Sequence, residues 1–352
     1  QMTGIPQHFH GVIQDTASTA TLVALLTARE KASNFKVNED GFTEKEKFRV
    51  YASEETHSSI EKAVKIAGLG RQNLVKIAVD ENFAMDGNAL EIAIIKDIEA
   101  GFQPMCVVAT IGTTGSTAID PLADISKITI KYKLWLHVDA AFAGTALLLE
   151  DYRWMINGIE AVDSLVFNPH KWMFTNFDCS AYFVQDKSAL LNTLQIVPEY
   201  LRTGQQGKVN DYCDWGIPLG RRFRALKLWF VIRSYGVKGL QEKIVHHISF
   251  AQTLKQRILA STGFELLAPV HLNLICFRYH PHGIDDEEKL NEINQTLLQN
   301  ANKTGKIYLT HTKLQGKYTL RMVMANTRLE ERHLIEAWDL ITGIANQLTV
   351  DS

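Results

Sequence analysis

The order of apolar runs along the chain predicts an α/β fold: a large domain built on a mainly parallel sheet, followed by a smaller C-terminal α+β domain. Three observations carry that expectation. Between residues 16 and 139, short β-type runs alternate with longer helix-type runs, and such alternation means parallel strands covered by their connecting helices. Past Pro218 the pattern changes: two long helix-type runs come first, and β-type runs return only after Gly263. The composition, 46% apolar and 22% charged over 352 residues, is that of a folded globular chain. Its length suits about two domains.

The first element is residues 16–29 (TASTATLVALLTAR). It has no Gly or Pro, and Asp15, Thr16 and Ser18 are available to cap its start, so it reads as a buried helix. Strand and helix runs then follow in turn: strand 49–53 and a helix from His57, strand 74–79 and helix 89–100, strand 105–110 and helix 121–132, then strand 134–139. Runs 164–168 and 180–184 add two strands, the second returning after a turn. Residues 219–235 and 237–259 read as two long helices separated by Gly236. After them come strands 264–268, 272–279 and 318–325, mixed with helices 285–303 and 330–348. A boundary near residue 250 divides the chain into 1–250 and 251–352.

Charge and cysteine usage narrow the function classes. Lys plus Arg total 37 against 39 for Asp plus Glu, a net charge of −2, so no net pull toward nucleic acid or an anionic membrane is expected. The longest apolar stretches fall short of the roughly 20 residues a membrane helix needs. Cys106, Cys179, Cys213 and Cys276 form no CxxC pair. That argues against a disulfide framework and a zinc site, and for a soluble protein of the reducing cytoplasm with no metal. The chain opens with Gln1 and shows no leader pattern, and it reads as a fragment.

Several motifs carry chemistry. In NPHKW (Asn168 to Trp172), Lys171 follows an apolar strand run, where anchoring and desolvation favour a nucleophilic amine able to form a Schiff base. An HK pair taken alone is more often a surface turn. In LWLHVDAAFAG, Asp139 closes another strand run and is followed by small residues that leave room for something flat. Ligands bind at such strand ends in α/β sheets, although an isolated Asp there is as often a helix cap. Thr16, Ala17 and Ser18 stand at a helix N-terminus suited to a phosphate, at the end of a loop read as HGVIQDTASTATL. His57 lies at a strand-to-helix turn, where its ring can stack on a planar group or simply cap the helix. The loop ATIGTTGSTAID is rich in Gly and Thr at a further strand end.

Together these are the parts of a pyridoxal phosphate site, and the chain resembles the group II amino-acid decarboxylases of the aspartate aminotransferase fold (fold type I). The resemblance rests on DTASTATLVALLTAR, ETHSSIEKA, VVATIGTTGSTAIDPL, LHVDAAFAG, SLVFNPHKWMFTNFDCSA and DYCDWGIPLGRRFRALKLWFVIRSYGVKGL. It implies that Lys171 holds pyridoxal 5′-phosphate as an internal aldimine and that Asp139 pairs with the ring nitrogen. His57 would stack on the ring, Ala141 would support its other face, and Thr114 would lie near it. Thr16, Ala17, Ser18, Asn168 and His170 would hold the phosphate. Tyr212, in a polar stretch 199–215 that reads as a mobile lid, matches the tyrosine that protonates the substrate α-carbon.

The implied reaction is decarboxylation of an aromatic L-amino acid (DOPA, tyrosine, tryptophan or phenylalanine) to the amine and carbon dioxide. Gly220, where histidine-decarboxylating relatives tend to have Ser, leaves space for a larger substrate. Retention of Tyr212 and His57 argues for simple decarboxylation over oxidative aldehyde formation. Aldehyde synthesis, histidine or glutamate decarboxylation, and an inactive cofactor-binding relative remain the alternatives. Two departures stand out: Asp15 and Thr19 replace a usual Gly and a usual acid beside the phosphate motif, and the family's N-terminal helical segment, which wraps the partner subunit of a homodimer, precedes the position of Gln1.

Overall fold

The computed structural model describes residues 2–43, 46–196 and 210–350. By their backbone contacts the residues fall into two units, 1–113 with 119–237, and 114–118 with 238–352.

The first unit holds a seven-stranded sheet: β1 (His10–Gln14), β2 (Phe48–Ser53), β3 (Leu74–Ile77), β4 (Gln103–Thr110), β5 (Trp135–Asp139), β6 (Ser164–Phe167) and β7 (Ser180–Val184). Their order across the sheet is β1-β7-β6-β5-β4-β2-β3. Strands β2 to β6 run parallel, so their carboxyl ends share one edge. Strand β7 returns antiparallel to β6, as the turn before it suggested. Strand β1 corrects the expectation of a loop at 10–14: it pairs with β7 from His10↔Val184 to Gln14↔Ser180. Its sequence, HGVIQ, has no long apolar run, so the strand exists because β7 offers a partner.

Helices α1 (Ala17–Ala32), α2 (Lys36–Asp40), α3 (Ser58–Ile66), α4 (Gly87–Glu99), α5 (Leu122–Tyr132) and α6 (Lys187–Leu194) belong to the same unit. Helix α1 is apolar or small on most faces, and Ala20, Val23, Ala24 and Leu25 are fully buried. Arg29 and Lys31 in its last turn complement the helix dipole. Because strand side chains alternate between faces, Trp135, His137 and Asp139 of β5 share one face. Helices α1 and α3 pack there, in one core with Val50, Cys106, Val108, Trp135 and Val166. Helices α4 and α5 contact β3, β4 and β5 as well, outside that core.

Helix α7 (Arg224–Ala260) differs from the expected pair in where it starts, later than residue 219 and after the breakers Gly216, Pro218 and Gly220. Its two helical segments meet in a kink at Gly236, which takes a non-helical conformation (φ 68°, ψ 169°), as expected. The two units part at Val237 and Lys238, beside that kink, and residue 250 lies within the second unit.

The second unit carries an antiparallel sheet in the order β10-β11-β9-β8: β8 (Phe264–Leu266), β9 (Leu274–Tyr279), β10 (Thr310–Leu314) and β11 (Lys317–Val323). Helices α8 (Glu287–Lys303) and α9 (Glu331–Val350) accompany it. Strand β10 was not expected, because THTKL is polar and pairs only as an edge in a hairpin with β11. Phe264, Phe277, Tyr279 and Trp338 form the aromatic centre of this unit. Residues 114–118 cluster here as well, since Arg321 donates to the carbonyls of Gly115 (2.9 Å) and Thr114 (2.5 Å). Among the described residues, no helix is long and apolar enough to cross a membrane.

Candidate active site

Asp139 is the last residue of β5 and only 5% exposed. Its Oδ1 accepts the Ala141 N–H at 3.0 Å. Among the described residues Oδ2 has no partner. After Asp139 the chain turns tightly, with Gly144 N–H bonded to Ala140 O at 2.8 Å. A Cβ at Gly144 would overlap Phe167 at the end of β6, so glycine allows the turn to lie against that strand. Asn168 N–H then bonds Ala141 O at 3.0 Å. Two chain segments that each follow a strand end are thereby joined.

The Asn168–Lys171 turn is closed by Lys171 N–H to Asn168 O at 2.9 Å. Fully buried Trp172 stacks on Phe142 (5.2 Å, 8°), which holds this turn to the one after β5. Water reaches Lys171, yet the surrounding protein displaces enough solvent to push its amine below the usual lysine range, and the Asp139 carboxylate opposes that shift. A shift in that direction favours the neutral amine that a nucleophilic lysine needs. His170 is held from two sides: its N–H donates to Cys179 O (3.2 Å), and its Nδ1 accepts the Cys179 N–H (2.8 Å), so its ring proton sits on Nε2. Burial and the neighbouring Lys171 both lower its pKa.

Thr16 caps α1 by accepting the Thr19 N–H at 3.4 Å. The first amides of a helix have no intrahelical acceptor, so Ala17 and Ser18 offer N–H groups, with two hydroxyls beside them, to an anion. Ser180 ties this start to the lysine turn, its hydroxyl lying 2.6 Å from Asn168 Oδ1 and 3.3 Å from Asp15 O. His57 caps α3 through Nδ1, which accepts the Ser59 N–H at 3.1 Å, and its ring is exposed. The adjacent Thr56 hydroxyl reaches that of Thr110, the register neighbour of Asp139, at 3.5 Å.

The first unit therefore gathers Thr16, Ala17, Ser18, His57, Asp139, Ala141, Asn168, His170 and Lys171 around the carboxyl ends of β4, β5 and β6. Thr114 falls in the second unit, with its carbonyl on Arg321. Gly220 borders a recess of about 150 Å³ with Asp15 and Arg221, and nothing lies within 4 Å of a Cβ built on it. Tyr212 is 45% exposed and tilted against Trp215 at 5.4 Å. It lines an apolar groove of about 700 Å³ with Gly11, Phe167, Pro169 and Phe183, on the sheet face turned away from α1. Among the described residues no hydrogen bond joins it to Lys171, although Pro169 of the lysine turn lines the same groove. Of the expected lid, residues 199–209 lie outside the described residues.

Three contributors went unnoticed in the sequence. Ser180 is one. Asp120 is the second: fully buried, it accepts the N–H groups of Met85 (2.8 Å) and Thr110 (2.6 Å), and burial raises its pKa to about 7. It ties off the root of the loop after β4. The third is the Asp178–Arg224 pair, bidentate at 2.9 and 3.2 Å. Asp120, an acid just before Pro121 at a helix start, was the one legible signal.

The donor set fits pyridoxal 5′-phosphate: a desolvated amine for its aldehyde, a buried carboxylate oxygen for its ring nitrogen, and a helix start for its phosphate. No cluster of metal-ligating side chains occurs among the described residues. Residues 1–280 match the pyridoxal-dependent decarboxylase conserved domain. Tryptophan decarboxylase 2 of Oryza sativa subsp. japonica is 42% identical over 342 residues, covering 96% of this chain and 68% of that protein. Phenylacetaldehyde synthase of Arabidopsis thaliana is 43% identical over 342 residues, covering 96% and 69%. A crystal structure of Oryza sativa TDC with PLP and tryptamine superimposes with a TM-score of 0.94 at 36% identity, covering 99% of this chain and 74% of that one. The chain belongs to the pyridoxal-dependent decarboxylase family, carboxy-lyases that use pyridoxal 5′-phosphate, and its fold is the aspartate aminotransferase-like fold type I expected from the sequence.

Proposed function

We propose that this chain decarboxylates an aromatic L-amino acid to its amine and carbon dioxide, with Lys171 and Asp139 at the centre of the site. The observation that carries the reading is the pairing of a desolvated Lys171 amine with the half-free, buried carboxylate of Asp139 at adjoining strand ends. Bound pyridoxal phosphate supplies the electron sink for the pair left behind when the carboxylate departs. Asp139 Oδ2 would accept the ring N–H and keep that nitrogen protonated. Lys171 Nζ would anchor the cofactor covalently. The amides of Ala17 and Ser18, the Thr16 hydroxyl, Asn168 and the Nε2–H of His170 would hold the phosphate, with His57 and Ala141 beside the ring.

Tyr212 is the proposed donor of a proton to the substrate α-carbon, a role that requires it to move from the groove it lines. The open space at Gly220 supports a large side chain on the substrate. So does the similarity to a protein named tryptophan decarboxylase. No disulfide joins any of Cys106, Cys179, Cys213 and Cys276, which supports a reducing, cytoplasmic setting. Exposed Phe223, Trp229 and Phe230 on and before α7 support a homodimer.

A second reading, oxidative formation of an aromatic aldehyde, is favoured by the similarity to a phenylacetaldehyde synthase. Incubation with DOPA, tyrosine, tryptophan, phenylalanine, histidine and glutamate, with product analysis, tests both. Amine and carbon dioxide from the aromatic substrates alone are expected. Aldehyde with ammonia and peroxide would establish the second reading instead, and turnover of glutamate or histidine alone would overturn both.

A further inference from the structure

Beneath the site, on the face of β5 that bears Asp139, lies a buried polar chain that no step above uses. His137 is fully buried. Its Nε2 lies 3.3 Å from Thr21 Oγ1 on α1, and its Nδ1 lies 2.9 Å from Ser164 Oγ on β6. The same Ser164 oxygen accepts the indole N–H of Trp135 at 2.9 Å. The Tyr182 phenol is adjacent to Ser164.

Counting protons assigns the tautomer. Among the described residues, Thr21 Oγ1 has His137 as its only hydrogen-bond partner, and a buried hydroxyl proton left unbonded is costly. Thr21 therefore donates to Nε2, so the ring proton sits on Nδ1 and is donated to Ser164. That oxygen then accepts from both His137 and Trp135, and its own proton is left to face Tyr182. The Thr21 and His137 protons are both used only if His137 is neutral, and burial pushes its pKa down to about 4.

The position of this chain gives it a consequence. His137 and Asp139 are two residues apart on one face of β5, about 6.5 Å along the strand. Thr21 is four residues after Ala17, on the same face of α1. The His137–Thr21 bond thus sets how far α1 slides along β5. We propose that His137 is a positioning residue that, through Thr21, fixes the spacing between the phosphate-holding amides of Ala17 and Ser18 and the carboxylate of Asp139. This rests on the cofactor placement proposed above. With the spacing right, one molecule meets the phosphate donors and the ring-nitrogen acceptor together; with it wrong, one contact is gained at the cost of the other.

The test compares binding of pyridoxal phosphate with that of pyridoxal, which lacks the phosphate, in the full chain, followed by absorbance and tryptophan fluorescence. For Thr21→Val, which keeps the side-chain volume, and for His137→Leu, pyridoxal phosphate affinity is expected to fall about tenfold, the worth of one hydrogen bond, with pyridoxal affinity unchanged. The double variant should be no worse than the poorer single one. His137→Gln, whose amide oxygen can accept from Thr21, should restore most of the loss. Equal weakening of both ligands, or wild-type discrimination in Thr21→Val, would overturn the inference, and Thr21→Val decides it even if His137→Leu does not fold. A wild-type chain that binds neither ligand would overturn the site assignment itself, a result distinguishable from either.

Discussion

One cation in each unit, Arg278 in the second and Lys171 in the first, is treated in opposite ways. In the second unit Arg278, only 4% exposed, bonds both Glu265 and Glu287 at 2.5 Å, and His280 joins Glu265 at 3.0 Å. In the first unit Lys171 has no carboxylate within ion-pair distance among the described residues, and Asp139 acts on it only through space. A buried charge with direct partners is scaffold, costly to break and chemically quiet. A desolvated amine without one is reactive, and such perturbed groups cluster where chemistry occurs. The strand arrangement explains the division. Parallel strands send successive chain segments to one edge, where Asp139 and the lysine turn meet, whereas the antiparallel sheet of the second unit closes over the aromatic cluster of Phe264, Phe277 and Trp338.

The contrast can be broken most directly at Lys171. Lys171→Ala is expected to abolish the visible band of the covalently held cofactor and to reduce decarboxylation to background. A retained band would remove Lys171 from its role. Next in size is Tyr212→Phe, for which loss of a positioned proton donor should lower amine formation by about 10²-fold and divert product toward aldehyde. An unaltered product ratio would exclude Tyr212.

The paired region provides the counter-test. Glu265→Gln should cost about 1–3 kcal/mol of stability, read as a shift in the urea midpoint, because Arg278 loses one of its two partners. The cofactor band and specific activity of the folded fraction should stay unchanged, and a change in either would blur the line between scaffold and chemistry.

A further effect, read only against a variant, concerns acid stability. Below pH 6.5 the unfolded chain protonates His137, while the native ring stays neutral until about pH 4. Stability from this group is therefore complete above pH 6.5 and lost as pH falls toward 4, by up to roughly 3 kcal/mol. Asp120 and Asp163, raised to about 7 and about 6 by burial, act in the opposite direction over much of the same range, so the comparison must be made against a variant. The stability gap between wild type and His137→Gln should narrow between pH 7 and 4.5; a constant gap would mean that His137 titrates normally.

Much of the site was legible because its information is local. Asp139 and Lys171 each follow an apolar run that could only be a buried strand, and the run after Thr16 had no residue to interrupt a helix. Strands β1 and β10 were not legible, because HGVIQ and THTKL are strands only by virtue of β7 and β11 beside them. Helix α7 misled at its start, where a good helical pattern from residue 219 yields to Pro218 and Gly220, while the break at Gly236 was legible because glycine alone takes that conformation without strain.

By itself, then, the sequence determined the alternation of strands and helices, the residues at the strand ends, and the family to which their motifs point. Periodicity, capping and breakers act over a few residues, so one chain read alone suffices for them. The tertiary structure alone decided that residues 114–118 join the second unit, that Tyr212 lies in the groove away from α1, and that Thr21 meets His137 across 116 positions. Those contacts depend on which surfaces pack together, and no local pattern of side chains records that choice.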